Sequence, residues 1–318
     1  MWNTVAGMSL TSPRIEGTVP VRNGRVLSFA EFGHDGGRTV VWLHGTPGGR
    51  RQIPEAARTL ALKLGVRIIG VDRPGIGAST PFLYDSVLDF ATDLACVLDH
   101  CEVDRVAMVG LSGGGPYALA TGHAFPDRVA AIGILGGVGP TRGRDRVEGG
   151  PISLAVRAEA LLSLFRDPCA MFLHSLARML VPVASQGFNL YARLSPEGDR
   201  KVFEQPEIKE MFLDDLINAS RKAMKAPIYD LILFTRHWGF SLESVEPVVN
   251  WWHGDADHFV PLEHARHMAS ILPRCTLSVR PGESHLGGMG AAEEVLTTVL
   301  STWDSVDGID AVAARTAR

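Results

Sequence analysis

The chain contains little cysteine. Four cysteines occur among 318 residues, and they form neither a Cys-x-x-Cys pair nor a cluster with a histidine pair. That spacing argues against a zinc site, so no metal is expected. Isolated thiols of this kind are typical of reduced, buried cysteines, which suits a cytoplasmic protein. The four are Cys96, Cys101, Cys169 and Cys275.

An excess of positive charge and long apolar runs are also missing. The formal net charge is −4, so no basic stripe is predicted and nucleic acid is not an expected partner. No run of about 18 apolar residues occurs, and the first residues do not combine a basic region with an apolar stretch. We therefore expect neither a signal peptide nor stable membrane insertion. The 46% hydrophobic content predicts a sizeable core, in a monomer or homodimer.

Short apolar runs that alternate with helical patterns are abundant. Asn23-Gly24 stands between two alternating runs and predicts an opening hairpin. The runs at 39–43 and 106–109 are typical of strands buried in a parallel sheet, and a glycine-rich loop follows each. This alternation predicts an α/β fold whose mostly parallel sheet carries helices on both faces.

The strand pattern stops near residue 141 and returns near residue 247. Between them lie a polar, glycine-rich break and several helical runs without a convincing buried strand. We therefore predict one α/β domain interrupted by a helical cap. The predicted parts are an N-terminal extension (1–17), a core domain (18–140 and 244–304), the cap (141–243) and a frayed C-terminal tail (305–318).

Two stretches of the predicted cap, "ISLAVRAEALLSLF" and "CAMFLHSLARMLVP", are strongly apolar. We expect most of their apolar faces to pack on the core domain and on each other. Side chains that wall a pocket there would favour an apolar acyl or alcohol group. These helices are not expected to lie on a membrane surface, because no lysine-rich polar face accompanies them.

One serine, Ser112, stands where the predicted strand at 106–109 meets the next helix. The stretch Gly110 to Gly114 matches Gly-x-Ser-x-Gly, in which glycines let strand and helix approach while the hydroxyl stays exposed. An ordinary glycine-rich loop and a phosphate-binding turn are the alternatives. The second is disfavoured, because the chain has neither Gly-Lys-Ser/Thr nor Gly-x-Gly-x-x-Gly.

A serine nucleophile needs a base and an acid that orients the base. Functional groups in parallel sheets gather at the carboxyl ends of strands, so the candidates come from loops that directly follow a strand. His285 follows the last predicted strand and is the predicted base. Asp257 follows the preceding strand and is the predicted acid, with Asp255 as its competitor. An Asx-type turn is the structural alternative for both aspartates.

The glycine-rich loop "HGTPGG", residues 44–49, follows the predicted strand at 39–43. Backbone N–H groups of Thr46 and of Gly113 are the predicted donors to a tetrahedral oxyanion. His44 and Gly45 are predicted to support this loop, because His285 already fills the base position in the expected chain order.

Residues 18–303 together resemble the α/β-hydrolase superfamily, through the order Ser112, Asp257, His285, the "HGTPGG" loop and the helical cap. "HGTPGG" and "DRPGIGAST" are similar to motifs of its proline-iminopeptidase-like branch. The chain departs from that branch where Thr46 replaces a glycine and where Gly113 replaces a tryptophan.

The resemblance implies a serine hydrolase without a cofactor, which cleaves carboxylic esters of small to medium apolar molecules through an acyl-enzyme. An aminopeptidase is the alternative, and it needs a carboxylate to hold the substrate amine. A non-catalytic protein that binds a small molecule is the alternative of another class. The carboxylates that could hold the substrate amine of an aminopeptidase are Glu204, Glu207, Glu210, Asp214 and Asp215.

Overall fold

The computed structural model describes residues 10–222 and 224–316, and an eight-stranded sheet runs through it. The strand order is β1-β2-β4-β3-β5-β6-β7-β8. The strands are β1 (Ile15–Pro20), β2 (Val26–Gly33), β3 (Thr39–Leu43), β4 (Arg67–Val71), β5 (Val106–Leu111), β6 (Val129–Leu135), β7 (Val248–Gly254) and β8 (Cys275–Arg280).

The sheet is antiparallel at one edge and parallel elsewhere. β1 pairs with β2, and β2 with β4, in antiparallel register, whereas β3 to β8 run parallel. The predicted hairpin is confirmed, since Asn23 and Gly24 take φ values of 60° and 68° between β1 and β2. The predicted α/β fold is confirmed with it.

Eleven α-helices accompany the sheet in the described residues. They are α1 (Glu55–Lys63), α2 (Asp89–His100), α3 (Gly115–Ala124), α4 (Ile152–Leu164), α5 (Arg166–Leu180), α6 (Ala184–Leu194), α7 (Glu197–Phe203), α8 (Pro206–Ala219), α9 (Ala226–Phe234), α10 (Leu262–Ile271) and α11 (Ala292–Thr316). Because α4 to α9 all lie between β6 and β7, we call residues 141–243 the helical insertion.

Two apolar layers flank the sheet. Side chains alternate along β5, so that Val106 and Met108 join the layer of α2, α3 and α10, whereas Ala107 and Val109 join the layer of α1 and α11. A strand buried on both faces must be apolar throughout, which explains why this segment lacks the alternation of a half-exposed strand.

The C-terminal helix α11 is longer than predicted. It runs on to Thr316, although sequence predicts a frayed tail after residue 304. Trp303 Nε1 donates to Asp307 3.0 Å away, and Arg105 pairs with the same carboxylate. These contacts extend the helix beyond the last residue that the apolar pattern marks.

The apolar faces of α4, α5 and α6 are not buried, which contradicts the prediction that most of them pack on the core domain. Only Ala170 and Ala177 are fully buried on these three helices. The helix α9 beneath α4 and α5 supplies most of the apolar contact, with buried Ile232, Leu233 and Phe234. Helices α4 and α5 therefore pack on α9 through half-buried side chains, and Ile152 of α4 contacts the core cluster that includes Leu233 and Phe234.

Candidate active site

Ser112 lies at a sharp turn between β5 and α3. Its φ of 50° is positive, a conformation that costs about 1–3 kcal/mol in a residue other than glycine. Glycines make the turn possible, because a Cβ at Gly110 would meet the backbone of Gly114 and one at Gly114 would meet the carbonyl of Leu43. The turn thus aims the Ser112 hydroxyl away from the sheet.

The structure brings Ser112, His285 and Asp257 into one hydrogen-bonded chain. Ser112 Oγ lies 2.8 Å from His285 Nε2, and His285 Nδ1 lies 2.8 Å from Asp257 Oδ2. If Nδ1–H donates to the carboxylate, Nε2 presents its lone pair to the hydroxyl. The order of the three groups is the one that sequence predicts for a nucleophile, its base and the acid that orients the base.

Asp257 is fixed by the loop after β7. Its Oδ1 accepts the backbone N–H groups of Phe259 and Val260, each 2.9 Å away. Burial raises the pKa of Asp257, but hydrogen bonds from His285 and Val260 and the nearby imidazoles outweigh it, so the pKa lies below its usual value. Asp257 is therefore ionised at neutral pH.

Asp255, the competitor, lies apart from the imidazole of His285. Its carboxylate is exposed and accepts the N–H of Gly282 at 2.7 Å. This bond joins the loop after β7 to the loop after β8. The Asx-type turn that sequence offered as the alternative is made by Asp257, whose Oδ1 accepts the N–H of Phe259 two residues further on.

A second imidazole, His253, lies behind Asp257 and has no counterpart in the sequence predictions. Its Nε2 donates to the Val260 carbonyl at 2.7 Å and lies 3.4 Å from Asp257 Oδ2, while Trp251 Nε1 donates to its Nδ1. Burial lowers the pKa of His253. A neutral His253 therefore braces the loop that carries Asp257. The signal in the sequence is its position at the end of β7, two residues before Asp255.

The loop at 44–49 places Thr46 directly against Gly113. The Thr46 hydroxyl donates to Asp230 at 2.6 Å, and a Cβ at Gly113 would collide with that hydroxyl oxygen. Gly113 follows Ser112 in the chain, and Thr46 lines the same cavity as Ser112, so the two predicted oxyanion donors belong to neighbouring backbone segments.

A buried ionic cluster holds this loop, and sequence did not predict it. Asp230 of α9 accepts Arg73 Nη2 at 2.7 Å and the Tyr117 hydroxyl at 2.7 Å, in addition to Thr46. Arg73, from the stretch "DRPGIGAST", is a buried partner of this carboxylate. A lone acid within the apolar helix "APIYDLILF" was the available signal, because a buried charge requires a partner.

His44 braces the loop from inside. Its Nε2 accepts the backbone N–H of Arg73 at 3.2 Å, and its Nδ1 lies 2.8 Å from the Gly45 carbonyl. Burial and the charge of Arg73 hold the pKa of His44 well below its ordinary value. With both ring nitrogens occupied, a neutral His44 offers no lone pair to Ser112.

A cavity of about 500 Å³ opens above Ser112 and His285. Its wall combines the loop at 44–49 with side chains of the helical insertion, and most of the latter are apolar. The apolar side chains from the insertion are Leu180, Val183, Ala184, Phe188, Tyr191, Phe212, Leu213, Leu216, Ala219 and Met224. In the described residues, no group of three or more His, Cys, Asp or Glu side chains is arranged to hold a metal.

Asp215 alone among the five candidate carboxylates lines this cavity. It is buried and accepts the N–H groups of Gly49 at 2.9 Å and Arg51 at 3.3 Å. Burial and the charge of Asp72 raise the pKa of Asp215 to about 7 despite these hydrogen bonds. Its carboxyl group is therefore partly protonated near neutral pH.

Asp215→Asn should flatten part of the pH dependence of stability. Because the folded pKa exceeds the unfolded value of about 3.9, the folded chain holds an extra proton between about pH 4 and pH 7, and the free energy of unfolding falls as pH rises through that range. Urea unfolding of both proteins at about pH 5 and pH 8 should show the variant gaining about 2.6 kcal/mol relative to wild type between the two pH values. A pH-independent difference would contradict the raised pKa.

Comparisons with known proteins agree with this architecture. A family model described as the alpha/beta hydrolase fold matches residues 38–291. A proline iminopeptidase of Xanthomonas citri is 32% identical over 117 residues, which cover 34% of this chain and 35% of that protein. The match thus spans about a third of that relative's length.

Solved esterase structures share the fold at low sequence identity. A thermophilic esterase from Thermogutta terrifontis is 20% identical, with a TM-score of 0.65 and coverage of 92% of this chain and 99% of that one. An esterase from Rhodococcus is 22% identical, with a TM-score of 0.63 and coverage of 93% and 100%. With a family match over most of its length and this sheet, the chain belongs to the α/β-hydrolase fold family.

Proposed function

We propose that the chain is a serine hydrolase that cleaves carboxylic esters with apolar acyl or alcohol groups. The observation that carries the proposal is the hydrogen-bonded chain from Ser112 through His285 to Asp257, with the serine facing an apolar cavity. A hydroxyl, an imidazole and a buried carboxylate in this geometry are what acyl transfer requires.

In the proposed reaction, Ser112 Oγ attacks the ester carbonyl while His285 Nε2 accepts the hydroxyl proton. Asp257 stabilises the imidazolium that forms and holds the ring in the correct tautomer. His285 then protonates the departing alcohol, which leaves an acyl group on Ser112. Water, deprotonated by the same imidazole, releases the acid and restores the serine.

We assign the oxyanion to the backbone N–H groups of Gly113 and Thr46. Donors of this kind are effective when they are fixed before the reaction, because they then need no reorganisation as charge develops. The bond from Thr46 to Asp230, itself anchored by Arg73, supplies that rigidity. The acid of α9 thereby supports the reaction from a distance.

The size and apolar lining of the cavity favour medium acyl chains. With p-nitrophenyl esters of increasing acyl length, kcat/KM should rise about fourfold for each added methylene that is buried, until the cavity is filled. Leu216 lines the cavity, whereas its neighbour Ile217 is exposed. Leu216→Trp should therefore reduce turnover of the longer esters selectively, and Ile217→Trp should leave the length profile unchanged.

A flat length profile in wild type, or equal profiles for the two tryptophan variants, would show that the acyl group does not enter this cavity. Steady-state rates for each ester, measured with the same enzyme preparation, are sufficient to decide.

An aminopeptidase is the second candidate, favoured by the presence of Asp215 in the cavity wall and by the similarity to a proline iminopeptidase. Aminoacyl p-nitroanilides assayed beside the esters separate the two activities. Under our proposal the esters react faster, and Asp215→Asn keeps their rate within a few-fold. Faster anilide turnover that Asp215→Asn abolishes would favour the aminopeptidase. Turnover of neither set would favour a binding protein.

A further inference from the structure

The outer side of the helical insertion exposes an unusual number of large apolar side chains. Phe172 is 70% exposed and Leu194 is 78% exposed. We call the exposed residues of the stretch 152–194, which holds α4, α5, α6 and the residues that join them, the outer face. Its large apolar members are Leu154, Leu161, Leu164, Phe165, Met171, Phe172, Met179, Leu180, Val183, Leu190, Tyr191 and Leu194. Contiguous apolar surface of this kind marks an interaction site.

The exposed side chains follow helical spacing, so each helix turns one apolar side outward. In α4 they recur at Leu154, Leu161 and Leu164, and in α6 at Leu190 and Leu194. Apolar residues therefore lie on both sides of these helices: Leu154 and Leu190 are exposed, whereas Ile152 and Phe188 pack against the core clusters.

This outer face is continuous with the mouth of the cavity above Ser112. Leu180, Val183 and Tyr191 are 41% to 48% exposed, and the same three side chains line the cavity. An apolar molecule on the outer face therefore reaches the cavity across apolar side chains.

The helices of the outer face are also positively charged, in contrast to the whole chain. Residues 152–194 contain four arginines and two acids, a formal net charge of +2, whereas the chain carries −4. Arg157, Arg178 and Arg193 are exposed, and none of them has an ion-pair partner among the described residues. Arginine supplies this charge, since residues 152–194 contain no lysine.

The stretch Arg166–Leu194 is long and apolar enough, by length and composition alone, to cross a membrane. It is nevertheless divided between α5, with 15 residues, and α6, with 11 residues. At 1.5 Å per residue these helices are about 22 Å and 17 Å long, shorter than a hydrocarbon core of about 30 Å. Their geometry suits helices that lie in the interface.

We propose that the outer face docks on an anionic lipid surface, with its apolar side chains among the acyl chains and its arginines at the headgroups. Apolar residues next to unpaired cationic ones are the combination that binds such surfaces. A symmetric dimer through the outer face is disfavoured, because it would bring two positively charged faces together. This inference goes beyond the proposed ester hydrolysis, because docking requires no chemistry at Ser112.

Sedimentation with vesicles tests the docking directly. Wild type and Ser112→Ala should both bind vesicles that mix phosphatidylglycerol with phosphatidylcholine, and should bind vesicles of phosphatidylcholine alone more weakly. The double variant Phe172→Ser/Leu190→Ser should lower the partition coefficient at least about tenfold, because burying either side chain is worth that much or more. Leu62→Ser, an equally exposed position on α1, should leave it unchanged.

Neither Phe172 nor Leu190 lines the cavity, so turnover of a soluble ester by the double variant should equal that of wild type. Measuring turnover and vesicle binding separately distinguishes the two proposals. A wild type that binds vesicles but has no activity would contradict the proposed ester hydrolysis and leave the docking supported. Wild type that remains in solution with anionic vesicles would overturn the docking. The docking would also be overturned if wild type formed dimers and did not bind vesicles, and the double variant were monomeric.

Discussion

Ser112→Ala is expected to lower kcat for a p-nitrophenyl ester by about 10⁶-fold, as loss of the nucleophile does in serine proteases. The hydroxyl forms the bond to the acyl group, and no neighbouring side chain can substitute for it. His285 would then have no proton to accept, since its Nε2 faces Ser112 Oγ at 2.8 Å. Rates over background hydrolysis, with urea unfolding to verify the fold, provide the measurement.

Ser284→Ala is the matched control. Ser284 is a buried serine of the same loop as His285, and its N–H donates to Asp199 at 3.0 Å. Because its backbone bond survives the substitution, this variant should retain activity within about tenfold of wild type, the range expected for a buried hydroxyl away from the chemistry. Activity of Ser112→Ala at a similar level would remove Ser112 from the mechanism.

The second large effect is expected at the acid. Asp257→Asn should lower kcat by about 10⁴-fold, because an amide favours the wrong imidazole tautomer of His285 and cannot stabilise the imidazolium. Asp257 Oδ2 lies 2.8 Å from His285 Nδ1, whereas the Asp255 carboxylate accepts the Gly282 N–H. Asp255→Asn can still accept that bond, so its rate should stay within a few-fold of wild type.

Steady-state kinetics of the two asparagine variants on one ester, at equal folded concentration, decide between the aspartates. Similar losses in both, or a greater loss at Asp255, would mean that the carboxylate beside His285 is not the acid that the reaction uses.

Sequence predicted most of the fold and the residues that meet at the candidate site, because both depend on local signals. Strands buried on two faces are continuous apolar runs, and loops that follow them must gather at one edge of a parallel sheet. Ser112, Asp257 and His285 each follow such a run directly. Their proximity is therefore a consequence of topology, whereas their catalytic roles stay predictions.

The ionic cluster that holds the loop at 44–49 could not be predicted from local sequence patterns. Asp230 pairs with Arg73 and Tyr117, which lie 157 and 113 residues away along the chain. Helical periodicity in the insertion likewise identifies an apolar side for each helix, but not whether α9 or solvent faces it. Both features depend on how the insertion packs, which no short pattern specifies.

Reaction with a fluorophosphonate, followed by intact mass and peptide mapping, tests most directly whether Ser112 is an activated nucleophile. Only a hydroxyl beside a base and oxyanion donors reacts rapidly with such a probe. We predict a single adduct on Ser112 in wild type, no adduct in Ser112→Ala, and labelling of His285→Ala slower by several orders of magnitude. Wild type that forms no adduct, or that carries it on another serine, would contradict the proposed mechanism.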